Sequence, residues 1–291
     1  MKDRLPEWLR QPLPGAGAAE FLAALDKLEV NTVCREAACP NTGVCFSKGQ
    51  LSFLILGRNC TRGCLFCNIS GRSRDESYPV FYDSLEPARV SEVVLRLRLK
   101  YAVITSVTRD DLDDGGAAVF AETVKRLRAL PQGIRVELLV PDFKRSFSAL
   151  DTVLEQMPEV IGHNLETVPA LYNRVKPGSD LSFSLSLLRR IKESRPGILT
   201  KSSLMLGMGE KAKEVVETLR MLREVGCDIL TLGQYLSCSK EYWPVAEFIT
   251  PECFKEWEIT AREMGFKAVF SGPLVRSSFM AETLFTEAYR A

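Results

Sequence analysis

Nine cysteines carry the chemistry of this sequence, and six of them fall between Cys34 and Cys67 in two triplets. The sharper triplet is Cys60-Thr61-Arg62-Gly63-Cys64-Leu65-Phe66-Cys67, spaced C-x3-C-x2-C. A compact loop with Gly63 beside Cys64 folds three thiolates onto one inorganic centre, and such thiolates hold iron–sulfur clusters. Three ligands serve three corners of a four-iron cube, so one iron stays open to an exchangeable ligand. A closed zinc site would need a fourth protein ligand and usually a second C-x2–4-C pair; a disulfide framework is the other alternative. The second triplet, Cys34-x4-Cys39-x5-Cys45, is ambiguous alone: three thiolates, turn residues at Pro40-Asn41 and Gly43, and no fourth ligand nearby. Cys227, Cys238 and Cys253 lie far apart without metal spacing, and burial in the core is expected of them. By chemistry alone any of these thiols outranks a hydroxyl as a fourth ligand, and Cys238 is best placed because it follows a strand end. The single histidine, His163, excludes a Cys2His2 finger and reads as a hydrogen-bonded structural residue.

Positioning these groups requires a scaffold, and the apolar pattern supplies one. Short apolar runs suited to buried strands occur at 51–57, 101–107, 134–140, 160–166, 199–206 and 228–234. Helical patterns lie between them at about 89–100, 115–130, 146–157, 168–195 (broken near Pro177-Gly178) and 210–226. Strands alternating with helices imply βαβ units and a parallel sheet. Six units fit an incomplete parallel barrel or a doubly wound sheet. A helix near 251–264, a strand near 266–272 and a terminal helix near 278–289 follow. Residues 1–50 read as an irregular extension punctuated by Pro6, Pro12, Pro14, Gly15 and Gly17, with a short amphipathic helix from Glu20 to Leu28. In parallel α/β folds the chemistry gathers at the C-terminal ends of strands. Cys60, Cys64 and Cys67 follow the first strand, the loop from Thr108 to Gly116 the second, and Pro141-Asp142-Phe143 the third. Asn164 to Glu166 end the fourth, so all should face one opening.

Hydrophobic residues at 46% and charged residues at 26% exclude wholesale disorder. A formal charge of +1 argues against a dedicated nucleic-acid or membrane-surface binder, which would carry a basic excess. The start, Met1-Lys2-Asp3-Arg4-Leu5-Pro6-Glu7-Trp8, lacks the apolar stretch of a signal peptide, and no run approaches the ~18 apolar residues of a membrane span. A cytoplasmic location is expected, where clustered thiols serve metals or catalysis.

Cys60-x3-Cys64-x2-Cys67 at the end of a first barrel strand resembles the signature of the radical S-adenosylmethionine (SAM) superfamily. Preceded by Cys34-x4-Cys39-x5-Cys45, it resembles the lipoyl synthase family over nearly the whole chain. Arg35-Glu36-Ala37-Ala38-Cys39-Pro40-Asn41, Asp110-Asp111-Leu112-x-Asp114-Gly115-Gly116 and Asn164-Leu165-Glu166-Thr167-Val168-Pro169 carry the likeness. So do Thr200-Lys201-Ser202-Ser203-Leu204-Met205-Leu206-Gly207 and Leu230-Thr231-Leu232-Gly233-Gln234-Tyr235-Leu236. Three positions depart from it: Phe279 stands for a tyrosine, Ser237-Cys238-Ser239 for a proline-containing stretch, and Lys240-Glu241-Tyr242-Trp243-Pro244 lacks a histidine.

The resemblance implies an incomplete parallel (β/α)6 barrel spanning 46–267, an N-terminal extension (1–45) bearing the auxiliary cysteines and a C-terminal segment (268–291). It implies two [4Fe-4S] clusters and SAM. One cluster is held by Cys60, Cys64 and Cys67 and leaves an iron for SAM. The other is held by Cys34, Cys39, Cys45 and Ser278 of Arg276-Ser277-Ser278-Phe279, where the alternative is that Ser277 or Ser278 caps the terminal helix. Phe66 would pack near adenine or simply anchor the loop. Thr105, Ser106 and the acidic loop would lie beside the methionyl group, and Glu166 with Asn164 beside the ribose; a solvated acidic turn is the plainer reading of the aspartates. Lys201, inside an apolar strand, needs a charge partner, and a carboxylate of SAM or substrate is one option. The implied partners are octanoylated lipoyl carriers (2-oxoacid dehydrogenase E2 subunits and the glycine cleavage H protein), an electron donor such as ferredoxin or flavodoxin, and an iron–sulfur carrier for cluster repair. The rivals are another radical SAM enzyme with an auxiliary cluster and a non-catalytic binding module stapled by zinc or disulfides.

Overall fold

Strands buried on both faces read as continuous apolar runs, and those runs form the sheet. The computed structural model describes residues 5–10, 18–69 and 83–291; Pro12, Pro14, Gly15 and Gly17 lie outside them. Among the described residues a 3-10 turn (Glu7–Leu9) is followed by α1 (Ala18–Lys27), α2 (Val33–Glu36), α3 (Thr42–Ser47) and β1 (Ser52–Ile55). Next come α4 (Glu86–Arg96), β2 (Tyr101–Ser106), α5 (Ala117–Arg128), β3 (Arg135–Leu139), α6 (Phe147–Leu154) and β4 (Val160–Gly162). The remainder is α7 (Pro169–Val175), α8 (Leu181–Ser194), β5 (Leu199–Leu206), α9 (Ala212–Glu224), β6 (Ile229–Gln234), α10 (Pro251–Glu263), β7 (Ala268–Gly272) and α11 (Ala281–Arg290).

All seven strands are parallel and pair in sequence order from β1 to β7. β1 and β7 stand at the two ends of that order, so the barrel is incomplete and has a seam. The sheet has seven strands rather than six because the apolar run near 266–272 joins β6 in parallel, Ile229 opposite Ala268. Two other expectations need correction. The helix expected from Glu20 to Leu28 is α1, but residues 33–47 are not irregular: two short helices carry Cys34 and Cys45. The fourth strand stops at Gly162, with a lone bridge from Glu166 to Leu204, because Ser202 Oγ replaces the backbone ladder between them, accepting from Leu165 N–H and donating to the His163 carbonyl. The expected break near Pro177-Gly178 separates α7 from α8.

Both edges of the sheet are covered by chain from the two ends of the sequence. Beside β1, Thr32 bridges Phe53 antiparallel, and Leu54 N–H donates to the Asn31 carbonyl. Beside β7, residues 273–280 pass close to β6: a Cβ at Gly233 would stand 2.0 Å from the Val275 carbonyl oxygen, so only glycine admits this approach. Helix α11 then packs under the starts of β2, β5, β6 and β7. Its Leu284, Phe285 and Ala288 pack on Tyr101, Leu199, Ile229 and Ala268, the first residues of four strands, and Arg135 lies 5.1 Å over the Phe285 ring.

Lys201 is buried in the barrel interior, and its partner is internal. Its Nζ lies 2.6 Å from Glu137 Oε1, and Tyr101 OH donates to Glu137 Oε2 at 2.8 Å. The expectation of a ligand carboxylate is therefore replaced by a structural triad. Removing one partner strands a buried charge. Lys201→Met is expected to cost about 3–5 kcal/mol, read as a lowered urea midpoint, with part restored when Glu137→Gln is added. An unchanged midpoint would mean that the pair contributes nothing.

Candidate functional site

The loop bearing Cys60, Cys64 and Cys67 leaves the upper end of β1 through Leu56 and Gly57, whose N–H groups both donate to the Glu86 carboxylate. Arg62 fastens the loop from inside the motif. Its guanidinium is bidentate to Asp110 (2.8 and 2.9 Å) and to Asp142 (2.8 and 2.8 Å). Paired forks of this kind fix geometry as well as charge. Thr61 N–H donates to the Thr108 carbonyl, Leu65 N–H to that of Val175, and Trp243 N–H to that of Leu65. Backbone and side chains from five segments thus hold three cysteines in place. Burial pushes the Cys64 thiol up to about 11 and the Cys67 thiol to about 12, with Cys60 and Glu166 adding to both; Lys176 and Arg62 oppose the rise at Cys64. A metal must displace these protons to bind.

The second triplet is folded by local hydrogen bonds. Thr32 caps α2 by accepting from Arg35 N–H, and Cys39 N–H donates to the Cys34 carbonyl. Thr42 Oγ donates to the carbonyls of Cys34 and Cys39, and Cys45 N–H to that of Asn41. Burial raises the Cys34 thiol to about 12 and the Cys45 thiol to about 11, with Cys39 adding to both. Asn41 Nδ2 donates to the Leu274 carbonyl and ties this loop to the segment carrying Ser278. Ser278 does not cap the terminal helix: the N-cap of α11 is Met280, with no side-chain cap bond. Arg276 lies beside Cys39 and Cys238, and burial pulls its guanidinium pKa down.

A cavity of about 910 Å³ brings the two regions together. Cys34, Cys39, Cys45 and Ser278 line it, and so does Cys67 of the other triplet. Cys60, Cys64 and Cys67 line a smaller adjoining pocket of about 160 Å³. Phe66, Thr105, Ser106, Asn164 and Glu166 line both. Asn164 Nδ2 donates to Glu166 Oε1 at 3.0 Å, and Lys176 Nζ donates to the Asn164 carbonyl at 2.9 Å. Burial raises the Glu166 carboxyl, opposed by Lys176 and Asn164. Ser106 Oγ and Asn164 Oδ1 are buried with no hydrogen-bond partner among the described residues. Orphaned polar atoms facing a cavity fit a polar ligand that completes them. Thr105 Oγ donates instead to the Leu139 carbonyl.

Other candidates have local roles. Asp111 pairs with Arg109, which holds its carboxyl below the usual range, and Asp114 accepts from the N–H groups of Gly116 and Ala118. Buried His163 bonds the Val140 carbonyl and Ser184 Oγ, as expected of a structural histidine. Cys227 fills the core as expected, Cys238, set apart by its place after a strand end, is exposed, and Cys253 is only partly buried, against the core expectation. A cysteine in the loop after β6 or on the first turn of α10 has too few neighbours to be enclosed. Arg62, Lys176 and Arg276 were missed: Asp110 and Asp142 lie 48 and 80 residues from Arg62, Cys39 lies far from Arg276 in sequence, and Lys176 follows a short helix with no motif around it. The one available signal for Arg62 was an arginine inside the cysteine motif.

Among the described residues no three His, Cys, Asp or Glu side chains converge as one metal ion requires. The two all-cysteine triplets are soft thiolate donors of the kind that hold iron–sulfur clusters.

The Radical SAM superfamily model matches residues 54–222. A lipoyl synthase of Caldanaerobacter subterraneus subsp. tengcongensis is 48% identical over 97% of this chain and 97% of its own. That of Trichlorobacter lovleyi is 50% identical over 96% of this chain and 98% of its own. Among solved structures, HydG, a maturase of the [FeFe]-hydrogenase, superposes with a TM-score of 0.60 at 14% identity, covering 81% of this chain and 54% of that one. Methylornithine synthase superposes with a TM-score of 0.54 at 14% identity, covering 81% and 68%. These two likenesses concern the fold.

Proposed function

The chain belongs to the lipoyl synthase family within the radical SAM superfamily, and from that premise we propose that it inserts one sulfur at each of carbons 6 and 8 of an octanoyl chain on a carrier-protein lysine. The supporting observation is the single cavity lined by residues of both cysteine triplets. Cys60, Cys64 and Cys67 would hold the SAM-binding [4Fe-4S] cluster, and Cys34, Cys39, Cys45 and Ser278 a second, sacrificial one. When bound, clusters and SAM (two molecules per product) supply radicals that take hydrogen from unactivated C–H bonds and the sulfur that replaces it.

The chain's own residues bind, orient and exclude water. Arg62 and its two carboxylates keep the cysteine loop from shifting. Asn164 turns the Glu166 carboxylate and leaves its own Oδ1, with Ser106 Oγ, to receive donors from a polar ligand such as SAM. Phe66 supplies an apolar face at the junction of the two pockets. The apolar wall of Leu51, Leu97, Val103 and Phe279 suits an acyl chain. The partners are octanoylated lipoyl carriers, a low-potential electron donor such as ferredoxin or flavodoxin, and an iron–sulfur carrier that rebuilds the consumed cluster. No helix among the described residues is long and apolar enough to cross a membrane.

The test is mass spectrometry of an octanoyl-lysyl peptide after anaerobic turnover with SAM and reductant. The expected product has gained two sulfur atoms, with deoxyadenosine formed alongside. Deoxyadenosine without sulfur gain would assign the chain a different substrate.

A further inference from the structure

The cavity extends down the seam of the barrel, and its lower end carries unmatched positive charge. At the upper face the carboxylates are answered internally: Asp110 and Asp142 by Arg62, Asp111 by Arg109. The lower end is formed where the chain enters β1 and β2. The parallel register sets Ser52 opposite Val103, so the residues that lead into β1 lie beside those that lead into β2. Lys48, Arg98 and Lys100 line the cavity there and are exposed. Lys100 Nζ donates to the Gln132 carbonyl, and no carboxylate among the described residues pairs with any of the three. Glu282, at the start of α11, is the one acidic residue in the cavity lining at this end. Just inside the rim the lining turns apolar, with Leu51, Leu97, Leu99 and Val103.

A cationic rim around an apolar throat suits a ligand with an acidic surface and an apolar arm. The whole chain, at +1, exerts little long-range pull on an anionic partner, so any steering must come from such a patch. We propose that Lys48, Arg98 and Lys100 form the docking surface for an acidic face of the acyl carrier domain, whose modified lysine enters the seam between the starts of β1, β2 and α11. The inference rests on the function proposed above. Rim charges act mainly on association rate and are weakened by salt.

The test uses the full chain with reconstituted clusters and two substrates: an octanoylated carrier domain and an octanoyl-lysyl tripeptide with uncharged flanks. The variant is Arg98→Glu with Lys100→Glu; Lys48, three residues from Cys45, is left in place. With the carrier, kcat/KM is expected to fall about tenfold or more at low ionic strength, the gap narrowing in high salt. Tripeptide turnover should be unchanged. An unaltered carrier kcat/KM, or an equal loss on both substrates, would overturn the docking surface. Tight binding of a random oligonucleotide, abolished by the same variant while carrier turnover persists, would reassign the rim to nucleic acid. If wild type turns over neither substrate, the functional reading fails. The rim is then judged separately by salt-dependent binding of the octanoylated carrier to wild type and variant.

Discussion

Changing Cys60, Cys64 and Cys67 together to Ala is expected to abolish SAM cleavage and leave about half the iron. The fold should survive, because the loop is held chiefly by Arg62, Thr61, Leu65 and Trp243 rather than by its thiols. Far-ultraviolet circular dichroism and an unchanged urea midpoint would report that survival. Retained deoxyadenosine production in this variant would sink the proposed role of the triplet. The companion variant, with Cys34, Cys39 and Cys45 changed to Ala, separates the two proposed clusters: it should still form deoxyadenosine but yield no lipoyl product. Lipoyl product from that variant would mean the sulfur comes from elsewhere.

The second large effect is expected at Ser278, where bare chemistry and family resemblance disagree. A thiolate is the stronger iron ligand, and Cys238 lines the same cavity. Ser278 stands on the segment that Asn41 ties to the auxiliary cysteines, and it has no capping role to account for it. A serine ligand must release its proton to solvent when the metal displaces it, which makes the bond labile and pH-sensitive beside a thiolate. A lost helix cap would cost only about 1 kcal/mol and leave cluster chemistry intact. Ser278→Ala should therefore fold and cleave SAM yet lose most sulfur transfer, while Cys238→Ala keeps it. Product per chain and auxiliary-cluster spectra, taken at matched iron content, decide the matter. Full turnover by Ser278→Ala with an inactive Cys238→Ala would reverse the assignment.

Local signals made most of the barrel legible. Apolar runs of strand length marked six strands and the run at 266–272 a further one, because burial on both faces keeps most strand positions apolar, even though Glu137 in β3 and Lys201 in β5 interrupt the runs. The cysteine triplets were legible for the same reason, since their spacing lies within a dozen residues. Long-range pairing was not. Nothing near Lys201 announces Glu137, 64 residues earlier, and nothing near Arg62 announces Asp142, 80 residues later. Helices α2 and α3 were hidden because each is a turn or so long, too short to show a period. The seam was legible only in part: incompleteness followed from the resemblance, but its closure by residues 31–45 on one side and 273–280 on the other depends on contacts across the whole chain.

That closure bears on the order in which the molecule is made. Asn41 and Leu274, whose hydrogen bond joins the two sides of the auxiliary site, are 233 residues apart. At about 5–20 residues per second, the ribosome delivers the second side about 10–50 s after the first. For that interval Cys34, Cys39 and Cys45 are out of the ribosome without β7, Ser278 or α11 to wall them in. Oxidants and stray metals reach them most easily then, so the proposed auxiliary cluster would be best loaded after translation has passed Leu274, when the seam can shut behind it.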